Sequence, residues 1–388
     1  MTDTADVIVI GAGVQGASLA FHLASRGARV AVIERSVPGA GATGRSSGLV
    51  RMYYDLLAET KLAWESFQWF RDWDARVGGE CGFTKTGFLW IEPADLADRV
   101  RANSDSHRAI GVDSRVVTPD EIRVIAPALD VGDEIAAYEP ESGYADPSMT
   151  ASSFLAAARS RGARLLTGAE VTAIALEGGR VTGVRTSRGD VDGPVVVDAA
   201  GAWAKGVAAL VDLDIPVDVW RHDTGYLGLP DAVERPIPVV IDNSRGMYFR
   251  PEGADLLLVG LEDGSEMGGS PDRETVTANP DFRGTAAERL VQRVPGLGEA
   301  TFRNAHAGQD GLTPDQRAML GQAGPDGFYL DCGHSGTGFK TAPAVGLGMA
   351  ELILDGAATT ADISPFDPAR FAHGRPLVGE HGEQLIWR

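Results

Sequence analysis

Two glycine-rich stretches lie more than 300 residues apart in this chain and could do the same kind of chemistry. "GAGVQG" (Gly11, Gly13, Gly16) follows the short apolar run "DVIVI" and precedes "VQGASLAFHLASRG", whose apolar residues recur at helical spacing. In that context Gly11 permits a tight turn, Gly13 lets main chain approach a pyrophosphate, and Gly16 lets the helix pack close to the strand. The first-turn N–H groups and the helix dipole then favour an anion. Glu34 ends the next apolar run, "RVAVIE", 18 residues after Gly16. A carboxylate there accepts from an adenosine ribose hydroxyl and repels a 2′-phosphate, which disfavours NADP. This motif alone does not separate FAD from NAD. The second stretch, "DCGHSGTGFK" (331 to 340), closes on Phe339 and Lys340 at the start of an expected helix running to about Asp355. A cation in a first helical turn opposes the dipole, so Lys340 needs another reason to be there.

Around these loops the chain reads as βαβ at its start, then a helix over 56–78 and a strand at 86–93. Two helix-like segments lead to "IAPALD", and a further helix is expected over 148–161. Short strands with turns at "EGG" and "SRGD" return to "PVVVDAAG", an apolar run suited to burial on both faces. Residues 215–262 alternate as in an antiparallel sheet, and "DGFYLDCG" is the last strand. Nucleotide-binding segments at the start, middle and end predict an α/β fold. Its Rossmann-like FAD-binding domain is discontinuous (1–82, 145–214 and 322–388), with an inserted α+β substrate domain on an antiparallel sheet (83–144 and 215–321).

Composition bounds the function. The 388 residues are 44% hydrophobic and carry 35 basic against 54 acidic side chains, a formal charge of −19. Most of such a surface repels a nucleic-acid backbone or an anionic bilayer. Cys81 and Cys332 fit no metal spacing and suit a reducing compartment. No stretch reaches the roughly 20 apolar residues of a membrane span, and no basic region precedes an apolar run at the start. The expected setting is cytoplasmic.

After Glu34 the chain does not return quickly to a helix, as a plain NAD domain would; "RSVPGAGATGRSSGLVRMYYD" (35–55) is long and rich in small residues. That loop, the strand with Glu34, "DAAGAWA" (198–204) and "GHSGTGFKTAPAVG" together resemble the D-amino-acid oxidase superfamily of flavoproteins, nearest to sarcosine oxidases, dimethylglycine dehydrogenases and dye-linked proline dehydrogenases. The resemblance implies FAD held by Gly11, Gly13, Val14, Gln15, Gly16, Glu34 and Arg35, and by the loop Thr43, Gly44, Arg45, Ser46, Ser47 and Gly48. It adds Val171, Ala200, Gly201, Trp203 and Gly308, and then Gly333, Gly336, Thr337, Gly338, Phe339 and Lys340 beside the isoalloxazine. Lys340 matches a lysine that holds a substrate carboxylate, Arg51 an arginine near the flavin, and Tyr248 a tyrosine of the substrate pocket.

Departures from the family pattern carry expectations of their own. Leu258 stands about where monomeric sarcosine oxidases have the lysine credited with activating oxygen, and Gly308 stands where they attach flavin through cysteine. Loop 42–48 has no histidine. The resemblance therefore implies non-covalent FAD and a dehydrogenase sooner than an oxidase, with oxygen, a quinone, a dye or an electron-transfer protein as candidate electron acceptors. The donor is a small amino acid or N-alkyl amino acid of the sarcosine, proline or glycine type, oxidised at its C–N bond. A 2-hydroxy acid or glycerol phosphate as donor, and a flavin-carrying subunit of a larger electron-transfer complex, are the alternatives. His222, His306 and His334 are each candidates for a base, though a lone histidine is more often structural.

Overall fold

Strands with no polar face must be covered on both sides, and the first apolar runs obey this. In the computed structural model, which describes residues 3–273 and 277–380, Val7–Ile10 and Val30–Glu34 lie side by side and parallel. They belong to a six-stranded sheet ordered Arg164–Thr167, Val30–Glu34, Val7–Ile10, Val196–Asp198, Phe328–Cys332, Met319–Gln322. Every pairing is parallel except the last. Val7, Val9, Val30 and Val32 point into one core with helices Val14–Ser25, Leu57–Arg71, Pro147–Ser160 and Gly338–Asp355. Ile8, Ile10, Ala31 and Ile33 point the other way, into a core shared with the small sheet of Val171–Glu177 and Arg180–Thr186. Each fully buried Val or Ile side chain contributes about 2 kcal/mol gross, so this pleat anchors the glycine turn that follows it.

Two helices point their N-termini toward the same place because they touch backbone to backbone. A Cβ on Gly346 would lie 2.3 Å from Ser18 Oγ and 2.8 Å from the Leu19 nitrogen, so only glycine lets helix Gly338–Asp355 seat on helix Val14–Ser25. Ser18 Oγ donates to the Ala342 carbonyl (2.8 Å) across that contact. Pro343 lies inside the second helix and removes one N–H; Ser66 Oγ donates to the Thr341 carbonyl (3.0 Å) and accepts from Ala344 N–H (3.0 Å) around it.

The second, nine-stranded sheet runs Glu266–Met267, Asp218–Gly228, Leu256–Leu261, Met247–Glu252, Val239–Asp242, Phe88–Glu92, Ile135–Glu139, Arg115–Val117, with Phe302–Leu312 also on Asp218–Gly228. All its pairings are antiparallel but one: Val239–Asp242 lies parallel to Phe88–Glu92. That seam joins the two chain segments expected to form the substrate unit. Thr118 caps Pro119–Ile125 with a full capping box through Glu121, and Asp146 caps Pro147–Ser160 on Met149 N–H (2.8 Å).

Two details differ from the sequence reading. The helix expected over 56–78 is Leu57–Arg71 followed by a separate turn, Trp73–Arg76. Strand Met319–Gln322 crosses the boundary expected at 322, and its pairing puts residues 319–321 with the six-stranded sheet; four residues are too few to show a period. Residues 1–2 and 381–388 of the expected FAD unit, and 274–276 of the other, lie outside the described residues. Among the described residues, no helix is long and apolar enough to cross a membrane.

Candidate functional site

Both glycine loops border one cavity of about 960 Å³, at the upper end of the size usual for ligand sites. Gly11 has φ +109°, and a Cβ there would lie 2.5 Å from the Ala199 carbonyl oxygen. Gly13, Val14 and Gln15 follow as the N-terminal turn of the helix; Val14 N–H donates to Thr43 Oγ1 (3.0 Å), which ties the turn to the 35–55 loop. The Glu34 carboxylate lines the cavity while accepting from Ala12 N–H (2.9 Å) and Ser36 N–H (2.8 Å), leaving further lone pairs for a ligand hydroxyl. Beside it, Arg35 stacks on Trp203 (4.3 Å to the ring centroid), and both donate to Asp272 (2.7 and 2.8 Å). Val171, Ala200 and Gly201 complete this part of the wall.

From the middle loop, Thr43, Arg45, Ser46 and Ser47 line the cavity, and Gly308 faces them from strand Phe302–Leu312. The Arg45 guanidinium folds back onto the Ala40 and Gly41 carbonyls. From the last loop, Gly336, Gly338, Phe339 and Lys340 line it. Asp310 accepts from Gly336 N–H (2.8 Å), and burial pushes its carboxyl above the usual range.

Five residues expected at the cofactor stand one layer behind the wall. A Cβ on Gly16 would lie 2.1 Å from the Gly11 carbonyl oxygen, one on Gly44 2.7 Å from that of Gly39, and one on Gly48 2.2 Å from that of Ala145. Gly333 (φ +67°) packs on Thr313, and Thr337 Oγ1 donates back to the His334 carbonyl (2.8 Å). These residues shape the loops rather than border the cavity.

The three residues expected at the substrate converge, although they come from three distant segments. Arg51 (2% exposed), Lys340 (6%) and Tyr248 (5%) all border the cavity. The Arg51 guanidinium carbon lies 4.3 Å and Lys340 Nζ 5.8 Å from the centroid of one ring, Tyr54. Arg51 also donates to the Tyr53 carbonyl, and Lys340 Nζ to that of Gly336 (3.3 Å). Burial first, and Arg51 second, hold the Lys340 ammonium well below the usual lysine range. Behind the pair, buried Arg317 bonds Asp55 (2.7 Å) and Glu59 (3.1 Å); burial raises the Glu59 carboxyl, with Arg317 opposing.

The sequence reading did not find Leu49, Trp220 and Ile241, uncharged residues of the same lining, which the base candidate His222 joins. Trp220 and His222 stack at 5.0 Å. His222 Nε2 lies 3.0 Å from Tyr248 Oη, and burial lowers its pKa to about 3, so the ring is neutral. Their spacing of two on strand Asp218–Gly228, the same-face interval, was the available signal. His306 does not border the cavity; His334 does, below the Gln15 amide. Leu258 is buried in the apolar cluster under Tyr248 and does not border it either.

The family model described as FAD dependent oxidoreductase matches residues 6–352. Human mitochondrial sarcosine dehydrogenase is 28% identical over 408 residues, covering 96% of this chain and 42% of that protein, so the chain spans less than half the length of that relative. Among solved structures, L-proline dehydrogenase from P. horikoshii superposes with a TM-score of 0.90 at 28% identity, covering 97% of this chain and all of that one. Glycine oxidase from Geobacillus kaustophilus gives 0.83 at 26%, covering 95% and 99%.

Proposed function

The chain belongs to the family of FAD-dependent oxidoreductases, and from that premise we propose that it oxidises the C–N bond of a small amino acid or N-alkyl amino acid to an imine, delivering the electrons to an acceptor other than oxygen. The carrying observation is the convergence of Arg51 and Lys340, two residues of the cavity lining, on one buried ring, Tyr54. Two buried cations with the uncharged residues Leu49, Trp220 and Ile241 in the same lining match a ligand that is anionic at one end and not at the other. The solved neighbours are named for proline and glycine, and the long relative for sarcosine, which share that shape.

The residues present fit FAD. Gly11 closes its turn against the Ala199 carbonyl, Gly338 packs on His334, the turn at Gly13 opens a helix toward the cavity, and the volume admits a dinucleotide with a small substrate. Gly11, Gly13, Glu34 and Arg35 would hold the adenosine and pyrophosphate, and Gly336, Gly338 and Phe339 the ring system. FAD, when bound, supplies the hydride acceptor. The chain's own work is positioning. Lys340 and Arg51 pair with the substrate carboxylate, each charge-assisted bond contributing about 1.5–3 kcal/mol. An arriving carboxylate also restores the charge on Lys340 that burial disfavours. Trp220, Ile241, Tyr248 and neutral His222 surround the amine without a counter-charge, so desolvation favours the neutral amine whose lone pair assists loss of hydride. The imine then hydrolyses in water.

Non-covalent attachment is supported by the cysteines: neither borders the cavity, and burial pushes the Cys81 thiol up to about 11 and that of Cys332 well above its usual value. Acid precipitation is expected to leave the pellet colourless. The acceptor rests on the resemblance alone, because Leu258 does not border the cavity; reoxidation by oxygen faster than turnover in stopped flow would overturn that part. The donor is tested by anaerobic bleaching of the flavin band with glycine, sarcosine, proline, D-amino acids and 2-hydroxy acids. An amino acid is expected to bleach it; bleaching by 2-hydroxy acids alone would refute the proposal.

A further inference from the structure

Beside Glu34 and Arg35 the cavity is bordered by a segment that comes from the nine-stranded sheet. Strand Glu266–Met267 pairs with Asp218–Gly228, Met267 lying opposite Trp220, and Gly268 N–H donates to the Val219 carbonyl (2.7 Å). There the chain leaves the sheet and turns through Gly268 and Gly269, at φ +80° and +86°. A Cβ on either would meet nothing within 4 Å, so backbone conformation and not packing favours glycine at both. The next residues fold into a turn held by its own contacts: Asp272 N–H donates to Ser270 Oγ (3.1 Å), and Arg273 pairs with Glu266. Pro271, Asp272 and Arg273 all border the cavity.

Among the described residues, the hydrogen bonds that join this turn to Arg35 and Trp203 both end on one atom. Asp272 Oδ1 accepts from Arg35 Nη2 (2.7 Å) and from Trp203 Nε1 (2.8 Å), while the Arg35 guanidinium lies on the Trp203 ring. Arg35 and Trp203 border the cavity too, so the three side chains close a ring of contacts at the end where Glu34 stands. Water reaches this clasp: the Arg35 and Asp272 side chains are 40% and 61% exposed. An exposed ion pair contributes little, and an indole N–H on a carboxylate contributes more. The Trp203 N–H first, and Arg35 second, hold the Asp272 carboxyl below its usual range, so it is ionised at neutral pH. We propose that residues 268–273 form a strap over the adenosine end of the cavity, closed by the clasp of Asp272 on Arg35 and Trp203, and that FAD enters and leaves when the strap swings open about Gly268 and Gly269. The strap rests on the FAD reading and adds to it the route of cofactor exchange. If FAD passes only through the open form, and the clasp is the same in the empty and the loaded protein, association and dissociation both scale with the open fraction, which then cancels from Kd.

Stopped-flow kinetics tests this without turnover. Apoprotein mixed with FAD gives the association rate constant, and holoprotein chased with excess 5-deaza-FAD, whose absorbance differs, gives the dissociation rate constant. Asp272→Ala is expected to raise both by about tenfold, the value of one charge-assisted bond, and to leave Kd within about twofold. Asp272→Asn keeps an acceptor for both donors and loses only the charge, so both rate constants should rise by about threefold. A turn that only touches the cofactor would instead give faster dissociation at an unchanged association rate constant. That result, or wild-type rate constants for both steps, would overturn the strap. Should Asp272→Ala fail to fold, Asp272→Asn carries the same test, since an association rate constant that does not rise overturns the strap there as well. Failure of the wild type to take up FAD at all would sink the cofactor reading, whereas uptake that neither variant accelerates sinks the strap alone.

Discussion

The two glycine loops border one cavity but are held in place by different means. At Gly11 main chain meets main chain: its N–H donates to the Ile33 carbonyl (2.8 Å), its Cα faces the Ala199 carbonyl, and Gly16 sits on its own carbonyl oxygen. From Gly333 to Gly338, side chains from elsewhere do the holding. Asp310 takes Gly336 N–H, Ser335 at φ +53° is fixed through Gly333 and Thr313, and Gln15 takes the Gly338 carbonyl. The first loop is therefore tightest at Gly11 and Gly16, where exclusion adds to the hydrogen bonds that Glu34 and Thr43 accept from it. The second is rigid by hydrogen bonding and can be loosened by degrees.

The largest effect is expected at the rigid loop. Gly11→Val adds atoms to a site where even a Cβ would meet Ala199 at 2.5 Å, in a backbone conformation that favours glycine. Purified protein should contain no flavin and should lose several kcal/mol of stability, about the scale of severe overpacking and strain; absorbance at 450 nm and a denaturant melt report both. Next comes Lys340→Met, expected to raise KM by about 10- to 100-fold, the value of one charge-assisted bond, with flavin content unchanged. A normal KM would remove Lys340 from the carboxylate site.

The same lysine sets a pH effect. Its pKa in the free enzyme is lowered, so the cation is present at low pH and lost as pH rises through that lowered value. The alkaline limb of kcat/KM should fall well below the usual lysine range of about 10.4 and disappear in Lys340→Met. At the adaptable loop, Asp310→Ala removes the carboxylate that accepts from the Gly336 and Gly311 N–H groups and should weaken FAD binding by only about tenfold, measured by fluorescence titration. Gly333→Ala should be milder still, about 1–2 kcal/mol of stability, because its obstacle is the Thr313 methyl group rather than a carbonyl. A Gly333→Ala protein as damaged as Gly11→Val would erase the contrast between the loops.

The same contrast explains what was legible in the sequence. The βαβ entry is local: Val7–Ile10, the glycine turn, the helix and Val30–Glu34 all signal within 30 residues, so period and glycine spacing suffice. Arg51, Tyr248 and Lys340 border one cavity, and only the resemblance puts them together in the sequence, since nothing in spacing brings together residues that separate strands and helices carry. Asp310 on Gly336, Gln15 on Gly338 and Gly346 on Ser18 are contacts between distant segments and left no local trace. Glycines that shape a loop look the same in sequence as those that border a cavity, and Gly16, Gly44, Gly48 and Gly333, expected at the cofactor, do not border it.

The central claim is that both loops grip one flavin dinucleotide. It is tested most directly by titrating the apoprotein with FAD, FMN and AMP. The account predicts a single site for FAD, at which FMN and AMP each compete and bind at least about 100-fold more weakly, because each engages only one loop. FMN binding as tightly as FAD, or FMN and FAD bound together, would contradict it.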